Sequence, residues 1–414
     1  IRSHACGVGE PLAEDVVRAV LTLRIQTMLR GHSGVRPETI ALMAECLNRQ
    51  ITPVIPSQGS VGASGDLAPL AHLALALIGE GEVFFGGARR RAAEVLAENG
   101  LAPLQPAPKE GLCLINGTQV MTAIGLLAWA DAQLLTKTAD VAAAMTLDAT
   151  RGTVTAMREQ IQAVRPHAGQ AVSASNVRML LTDDGIARSH QNCPRVQDAY
   201  SIRCTPQVHG AIRGAFDHVV SVLMTEANSS TDNPLVFCET NEILSGGNFH
   251  GEPVALALDY FAIALAELAG ISERRIEKLI NPHTSELPAF LTRDGGLNSG
   301  YMIPHVVAAA LVNENKVLAH PASVDSIPTS AGKEDHVSMG MTSALKLQRI
   351  LRNVSHVLAI ELLAAAEGLD LLAPLEGGVG VRAAHALIRQ RHEAMITDRS
   401  LSADIETLAS ALLS

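Results

Sequence analysis

The chain has few aromatic residues, few cysteines and no long basic run. Aromatic residues make up 3% of its 414 residues, and the net charge is −10. A negative chain without a basic patch argues against a nucleic-acid partner or an anionic membrane surface. No stretch of the sequence predicts a membrane span, because the longest uncharged run, near 111–130, contains Asn116, Thr118 and Gln119, which are unfavourable in a bilayer.

The cysteines are too widely spaced to form a zinc or redox motif. None of them is part of a C-x-x-C pair. Such sparse thiols are typical of reduced cytosolic proteins, so the sequence predicts a cytoplasmic location. The six positions are Cys6, Cys46, Cys113, Cys193, Cys204 and Cys238.

Helix-forming apolar residues are abundant. Hydrophobic residues make up 47% of the chain, and Ala, Leu, Val and Ile dominate, a composition that favours packed helices. Helices this long and apolar need burial on more than one side, so we expect a mainly α-helical bundle that oligomerises. The long helices are predicted at about 117–147, 206–228, 252–281, 302–317 and 341–367.

The segment Gly59–Leu70 (GSVGASGDLAPL) is the most specific feature of the sequence. It does not match the G-x-S-x-G nucleophile elbow, because Ser64 lies between Ala63 and Gly65. It does not match a phosphate-binding loop either, because the Lys is missing and no strand is predicted before it. A plain turn stays open as a reading, with Asp66 as the N-cap of a helix that ends near Gly79.

The same segment resembles the signature of the ammonia-lyases and aminomutases that form 4-methylidene-imidazol-5-one (MIO) from Ala-Ser-Gly. The chemistry requires these residue types. Gly65 offers an unhindered amide nitrogen to the Ala63 carbonyl, and the Ser64 hydroxyl can leave as water. Further stretches resemble the family in the same order along nearly the whole chain: Leu114–Gln119, Val196–Arg203, Ser245–His250, Gly296–Gly300 and Lys333–Met339.

The resemblance implies a carboxylate clamp at Arg203, whose planar guanidinium suits a bidentate carboxylate. It also implies that Gln197 and Tyr200 line the pocket, with Tyr200 assisting catalysis. In the family these residues come from neighbouring subunits, which implies a homotetramer. A helix-end Arg and a packed Tyr with a satisfied hydroxyl remain the structural alternatives.

The resemblance also assigns residues near the electrophile and the substrate. It implies that Asn116 hydrogen-bonds beside the ring, that Phe249 forms an aromatic wall and that Asp66 assists cyclisation. For Asn116 a turn, for Phe249 core packing and for Asp66 helix capping are the structural alternatives.

His4 and Glu334 are the positions that discriminate between substrates in the family. The resemblance implies that His4 meets the substrate ring and that Glu334 takes part in catalysis. Histidine-specific members carry Glu where phenylalanine and tyrosine lyases carry Gln. A carboxylate can pair with or exchange a proton with an imidazole N–H, which a phenyl ring does not offer. A structural acid beside His336 is the alternative for Glu334.

The resemblance therefore implies the ammonia-lyase fold, a long-helix bundle of the fumarase–aspartase-like type. We expect an N-terminal MIO-bearing region at 1–112 and the bundle at 113–414. The implied activity is non-oxidative conversion of L-histidine to trans-urocanate and ammonia, without a metal or diffusible cofactor. A tyrosine or phenylalanine lyase, an aminomutase and a non-catalytic helical scaffold are the alternatives.

The family's catalytic base is a Tyr on a loop that precedes the position of His4. The printed chain begins at Ile1 without Met, and its three tyrosines, Tyr200, Tyr260 and Tyr301, do not lie in such a loop. We therefore expect the chain to be N-terminally incomplete and to turn over poorly by itself.

Overall fold

The computed structural model describes residues 1–191, 193 and 195–413, and most of them are helical. This confirms the predicted mainly α-helical class. The predicted long helices agree with the observed ones to within four residues at each end. The largest difference is in the helix predicted at 341–367, which extends to Leu371 in the structure. The observed bounds are Gln119–Ala149, Thr205–Ala227, Glu252–Ile280, Met302–Leu318 and Gly340–Leu371.

The chain forms two compact units, and each unit is built from three separate segments. The first unit comprises Ile1–Trp129, His218–Tyr260 and Pro321–Gln348, and the second unit comprises the three intervening and C-terminal segments. The sequence predicts a boundary between residues 112 and 113, which divides the chain by position along the sequence and not by contacts. This boundary stays a prediction.

The first unit contains shorter helices and the strands found in the described residues. Val8–Pro11 pairs antiparallel with Pro56–Gln58, and a three-stranded sheet has the order Thr52–Pro53, Glu82–Phe85, Ala88–Arg91. A hairpin joins Leu235–Phe237 to Glu242–Leu244. The helices that lie wholly within this unit are Glu14–Leu29, Pro37–Asn48, Leu67–Leu77, Ala92–Glu98 and Glu110–Ile115.

The glycine-rich segment lies between a strand and a buried helix. The short strand Pro56–Gln58, which the sequence did not predict, leads into Gly59. The helix Leu67–Leu77 follows, and side chains such as Leu70 and Leu73 on it are fully buried. Burying each such leucine contributes about 1.5–3 kcal/mol, so the tripeptide is held between two fixed elements.

The second unit contains the remaining shorter helices. Its core includes a fully buried ion pair between Arg275 and Glu361. The helices wholly within it are Glu159–Ala163, Ala168–Leu180, Gly185–Ser189, Tyr200–Arg203, Pro282–Ser285, Met302–Leu318, Val379–Arg389 and Ser402–Ala411.

One helix, Glu252–Ile280, is long and apolar enough to cross a membrane by length and composition alone. The sequence predicts this helix, at about 252–281, but not a membrane span. In the structure 61% of its apolar stretch is buried within the protein, which is typical of a core helix.

Candidate functional site

The Ala63–Ser64–Gly65 tripeptide is held in a tight bend of the first unit. Ala63 and Gly65 are buried, whereas Ser64 is half-buried. Gly62 and Gly65 have φ angles of +67° and +72°, a region that side-chain-bearing residues rarely adopt. A β-carbon at position 65 would collide with the Gly117 carbonyl group. The bend therefore requires glycine where the family resemblance places the attacking nitrogen.

The turn at Asn116–Gly117 packs directly against the tripeptide. The Gly117 carbonyl accepts the backbone N–H of Asp66 at 2.8 Å, and Asn116 Nδ2 donates to the Ser64 carbonyl at 3.2 Å. Asn116 is 4% exposed, and its Oδ1 is buried without a hydrogen-bond partner among the described residues. A buried unpaired oxygen is costly, so this site can accept one more donor.

Asp66 does not cap the helix that follows it. Its carboxylate instead accepts the backbone N–H groups of Val120 and Met121, at 2.9 and 3.0 Å, and so caps the long helix Gln119–Ala149. The expectation of a cap on Leu67–Leu77 is corrected in this respect. Asp66, directly after the tripeptide, therefore connects it to the N-terminus of the helix Gln119–Ala149.

Burial raises the pKa of Asp66 to about 6, although hydrogen bonds from Met121, Ser60 and Val120 lower it. A carboxyl group with this pKa titrates near neutral pH, which is the range in which general acid–base groups are most effective.

Glu334 lies against the serine of the tripeptide. Ser64 Oγ donates to its Oε1 at 2.7 Å, and the hydroxyls of Thr329 and Ser330 donate to its Oε2, each at 2.7 Å. Burial acts to raise the pKa of Glu334, but these hydrogen bonds and the charge of His4 outweigh it, so the pKa is lowered. The carboxylate is therefore kept ionised beside the tripeptide.

His4 is exposed in the same unit, and its Nδ1 lies 2.9 Å from Ser3 Oγ. Its charge acts on Glu334. The two positions that the resemblance identified as discriminating between substrates therefore lie in the same unit.

Two loops pin the residues before the tripeptide. Met339 N–H donates to the Val61 carbonyl at 2.8 Å, and Gly251 N–H donates to the Gly62 carbonyl at 3.2 Å. Phe249, two residues before Gly251, is half-buried. The side chain predicted to form the aromatic wall therefore belongs to a segment that contacts the bend.

Sequence reasoning missed a histidine pair on these loops. His250 and His336 have parallel rings with centroids 5.8 Å apart, and His250 Nε2 lies 3.1 Å from the His336 carbonyl oxygen. Both residues lie within stretches that matched the family, and that match was the only available signal. The pair joins the Phe249 segment to the Glu334 segment.

Gln197, Tyr200 and Arg203 belong to the second unit. The Arg203 guanidinium lies 4.5 Å from the centroid of the Tyr200 ring, a cation–π contact. Tyr200 is 70% exposed and Gln197 is also exposed. Arg203 Nε is buried and has no partner among the described residues. The predicted site residues thus form two sets, one in each unit.

The two sets offer complementary chemistry. The first presents a tight Ala-Ser-Gly bend, an ionised carboxylate and an amide with a free acceptor. The second presents a guanidinium and a phenol. No cluster of three His, Cys, Asp or Glu side chains suited to a metal ion occurs in the described part of the chain.

The chain is similar to known proteins along almost its whole length. The aromatic amino acid lyase family matches residues 1–390. Histidine ammonia-lyase of Symbiobacterium thermophilum is 57% identical over 409 residues, covering 99% of this chain and 80% of that protein.

Solved structures share the fold. Histidine ammonia-lyase from Trypanosoma cruzi superimposes with a TM-score of 0.93 at 48% identity, covering 99% of this chain and 78% of its own. Tyrosine aminomutase from Streptomyces globisporus gives a TM-score of 0.94 at 40% identity, covering 100% of this chain and 82% of its own.

Proposed function

The chain belongs to the aromatic amino acid lyase family, and from that premise we propose that it releases ammonia from L-histidine to give trans-urocanate. The observation that carries the proposal is the contact of Ser64 with Glu334, because it places an ionised carboxylate beside the tripeptide. The similarity to histidine ammonia-lyases supports the same substrate.

We propose that Ala63, Ser64 and Gly65 form MIO. The Gly65 nitrogen bonds to the Ala63 carbonyl carbon, whose oxygen leaves as water. Ser64 then loses its Cα proton and its hydroxyl as a second water. The residues fit this chemistry because only glycine fits at position 65 beside the Gly117 carbonyl and the Ser64 carbonyl already receives the Asn116 amide.

The ring supplies an electrophile that ordinary side chains do not offer. The rest of the reaction is assigned to side chains of the protein. We propose that Arg203 holds the substrate carboxylate and that Tyr200 and Gln197 line the pocket. Glu334 and His4 face the imidazole, and Phe249 forms a wall. Asn116 Oδ1 supplies the free acceptor for a substrate N–H.

Glu334 determines the preference for histidine in this proposal. In the variant Glu334→Gln, the side chain keeps its size but loses its charge, so it no longer stabilises a protonated imidazole. We expect ammonia release from L-histidine to fall by about 10²-fold or more, the usual scale for a lost acid–base group. The control is Glu239→Gln, which makes the same change at an exposed glutamate that is distant from Glu334 in the sequence. It should leave the rate unchanged.

The test is a substrate panel of L-histidine, L-tyrosine and L-phenylalanine with the full-length natural protein and both variants. Ammonia and urocanate from histidine alone, lost in Glu334→Gln, would support the proposal. Release from tyrosine or phenylalanine by the unaltered protein would replace it with a related lyase. The mass of the tripeptide-containing peptide should be two waters lower in all three proteins.

We further propose a cytoplasmic homotetramer in which active sites are shared between subunits. The support is the exposure of Tyr200 and Gln197 in the second unit. Light scattering of the active protein should give the mass of four chains. Full activity in a monomeric fraction would contradict this arrangement.

A further inference from the structure

Arg24 is a buried cation without a carboxylate in hydrogen-bond contact in the described part of the chain. It lies on the helix Glu14–Leu29 and is 0% exposed. Burial lowers the pKa of its guanidinium, although charges of Asp232, Cys113 and Asp66 act to raise it. A buried Arg is usually paired directly with an acid, so its actual partners need an explanation.

All the hydrogen-bond partners of Arg24 lie in one short segment. Nη1 donates to the Asn116 carbonyl at 2.8 Å and to Gln119 Oε1 at 2.6 Å, and Nη2 donates to the Cys113 carbonyl. The guanidinium therefore holds one side of the segment Cys113–Gln119 through hydrogen bonds. This segment lies some 90 residues from Arg24 in the sequence.

That segment is the one that contacts the tripeptide from the other side. Asn116 donates to the Ser64 carbonyl, and Gly117 both accepts from Asp66 and occupies the space beside Gly65. A β-carbon on Gly117 would itself lie 2.7 Å from Arg24 Nη1. Arg24, the turn and the tripeptide are thus packed in direct succession.

This arrangement is unfavourable for stability alone. A desolvated charge paired only with carbonyl dipoles costs free energy that a neutral side chain would avoid. Arg24 Nε is also buried without a partner among the described residues, which adds a further cost. The buried charge and the unpaired Nε both reduce stability, so we infer that Arg24 has a role other than packing.

We propose that Arg24 is a positioning residue for formation of the electrophile, holding the segment Cys113–Gln119 in contact with Ala63–Ser64–Gly65. The inference rests on the proposed function, because it concerns the same ring closure. Intramolecular reactions depend steeply on the approach of the reacting atoms, and a shift of about 1 Å can cost about 10²-fold in rate. Loosening the turn is therefore expected to slow the loss of water.

The experiment compares Arg24→Met and Arg24→Lys with the unaltered full-length protein. Arg275→Met is the control for loss of an equally buried arginine outside the first unit. It is the harsher change for stability, because it leaves the buried Glu361 carboxylate without its ion-pair partner. Each protein is sampled at intervals after synthesis. The mass of the peptide that contains residues 63–65 then gives the fraction that has lost two waters, and circular dichroism identifies the folded material.

We expect Arg24→Met to fold and to lose water about 10–100-fold more slowly, and Arg24→Lys to be intermediate. The folded Arg275→Met should mature at the normal rate. Normal maturation in folded Arg24→Met would overturn the inference while leaving the proposed function intact. So would failure of both Arg24 variants to fold under conditions where Arg275→Met folds, since Arg24 would then be a stability residue. An unmodified peptide in the unaltered protein would overturn the proposed function itself.

Discussion

Ser64→Ala is expected to give a folded protein that releases ammonia from L-histidine more slowly by three orders of magnitude or more, about the scale of losing a covalent catalytic group. Alanine has no β-hydroxyl to lose, so the alkene cannot form. The peptide carrying residues 63–65 should then lack the full loss of two waters. Folding should be little affected, because Ser64 is half-buried and the lost contact is a single hydrogen bond to Glu334.

Two further variants separate chemistry from structure at this bend. Ser57→Ala, on the preceding strand, is the matched control and should keep both the mass change and the activity. Gly65→Ala should lose activity for another reason, because its β-carbon collides with the Gly117 carbonyl at a φ of +72°. Activity in Ser64→Ala close to that of Ser57→Ala would show that the reaction does not depend on the electrophile.

The sequence predicted the long helices well because their apolar residues recur with helical period over twenty or more positions. The sequence is less informative about elements and caps that depend on contacts between residues distant in the chain. The strand Pro56–Gln58 has three residues and no alternating pattern, and its pairing with Val8–Pro11 forms across about 50 residues. The sequence predicts that Asp66 caps the helix directly after it, whereas its carboxylate caps the helix that begins at Gln119.

The candidate site shows the same division. The family resemblance points to the tripeptide and to Glu334, and the structure places Ser64 and Glu334 in contact. Arg24 carries no motif, and its importance follows only from burial and from partners some 90 residues away. The place of Arg203 and Tyr200 in the second unit likewise follows from the fold, since residue spacing alone carries no information on which contacts form.

The second large effect is expected in the core of the second unit. Arg275 and Glu361 are both fully buried. Arg275 donates to both carboxylate oxygens, and Thr146 and Ser272 donate one hydroxyl each, at 2.9 and 2.6 Å. Every partner of this carboxylate is thus a buried donor that loses an acceptor if Glu361 is removed.

Glu361→Ala should lower the free energy of unfolding by about 3–5 kcal/mol, because it leaves the charge of Arg275 buried and unpaired. The control is Glu314→Ala, which removes the partner of Arg349 in a largely exposed pair and should cost about 0–1 kcal/mol. Urea unfolding followed by circular dichroism measures both. Equal costs would contradict the assignment.

The double variant Arg275→Met/Glu361→Leu distinguishes the cost of an unpaired charge from the value of the pair. Buried ion pairs often contribute little net stability, since desolvation offsets their attraction. The double variant should therefore recover much of the stability that Glu361→Ala loses, although Thr146 and Ser272 lose their acceptor. If it is no more stable than Glu361→Ala, the network stabilises the unit through its hydrogen bonds rather than merely avoiding a buried charge. Because neither residue belongs to the first unit, the peptide with residues 63–65 should still lose two waters in every folded variant.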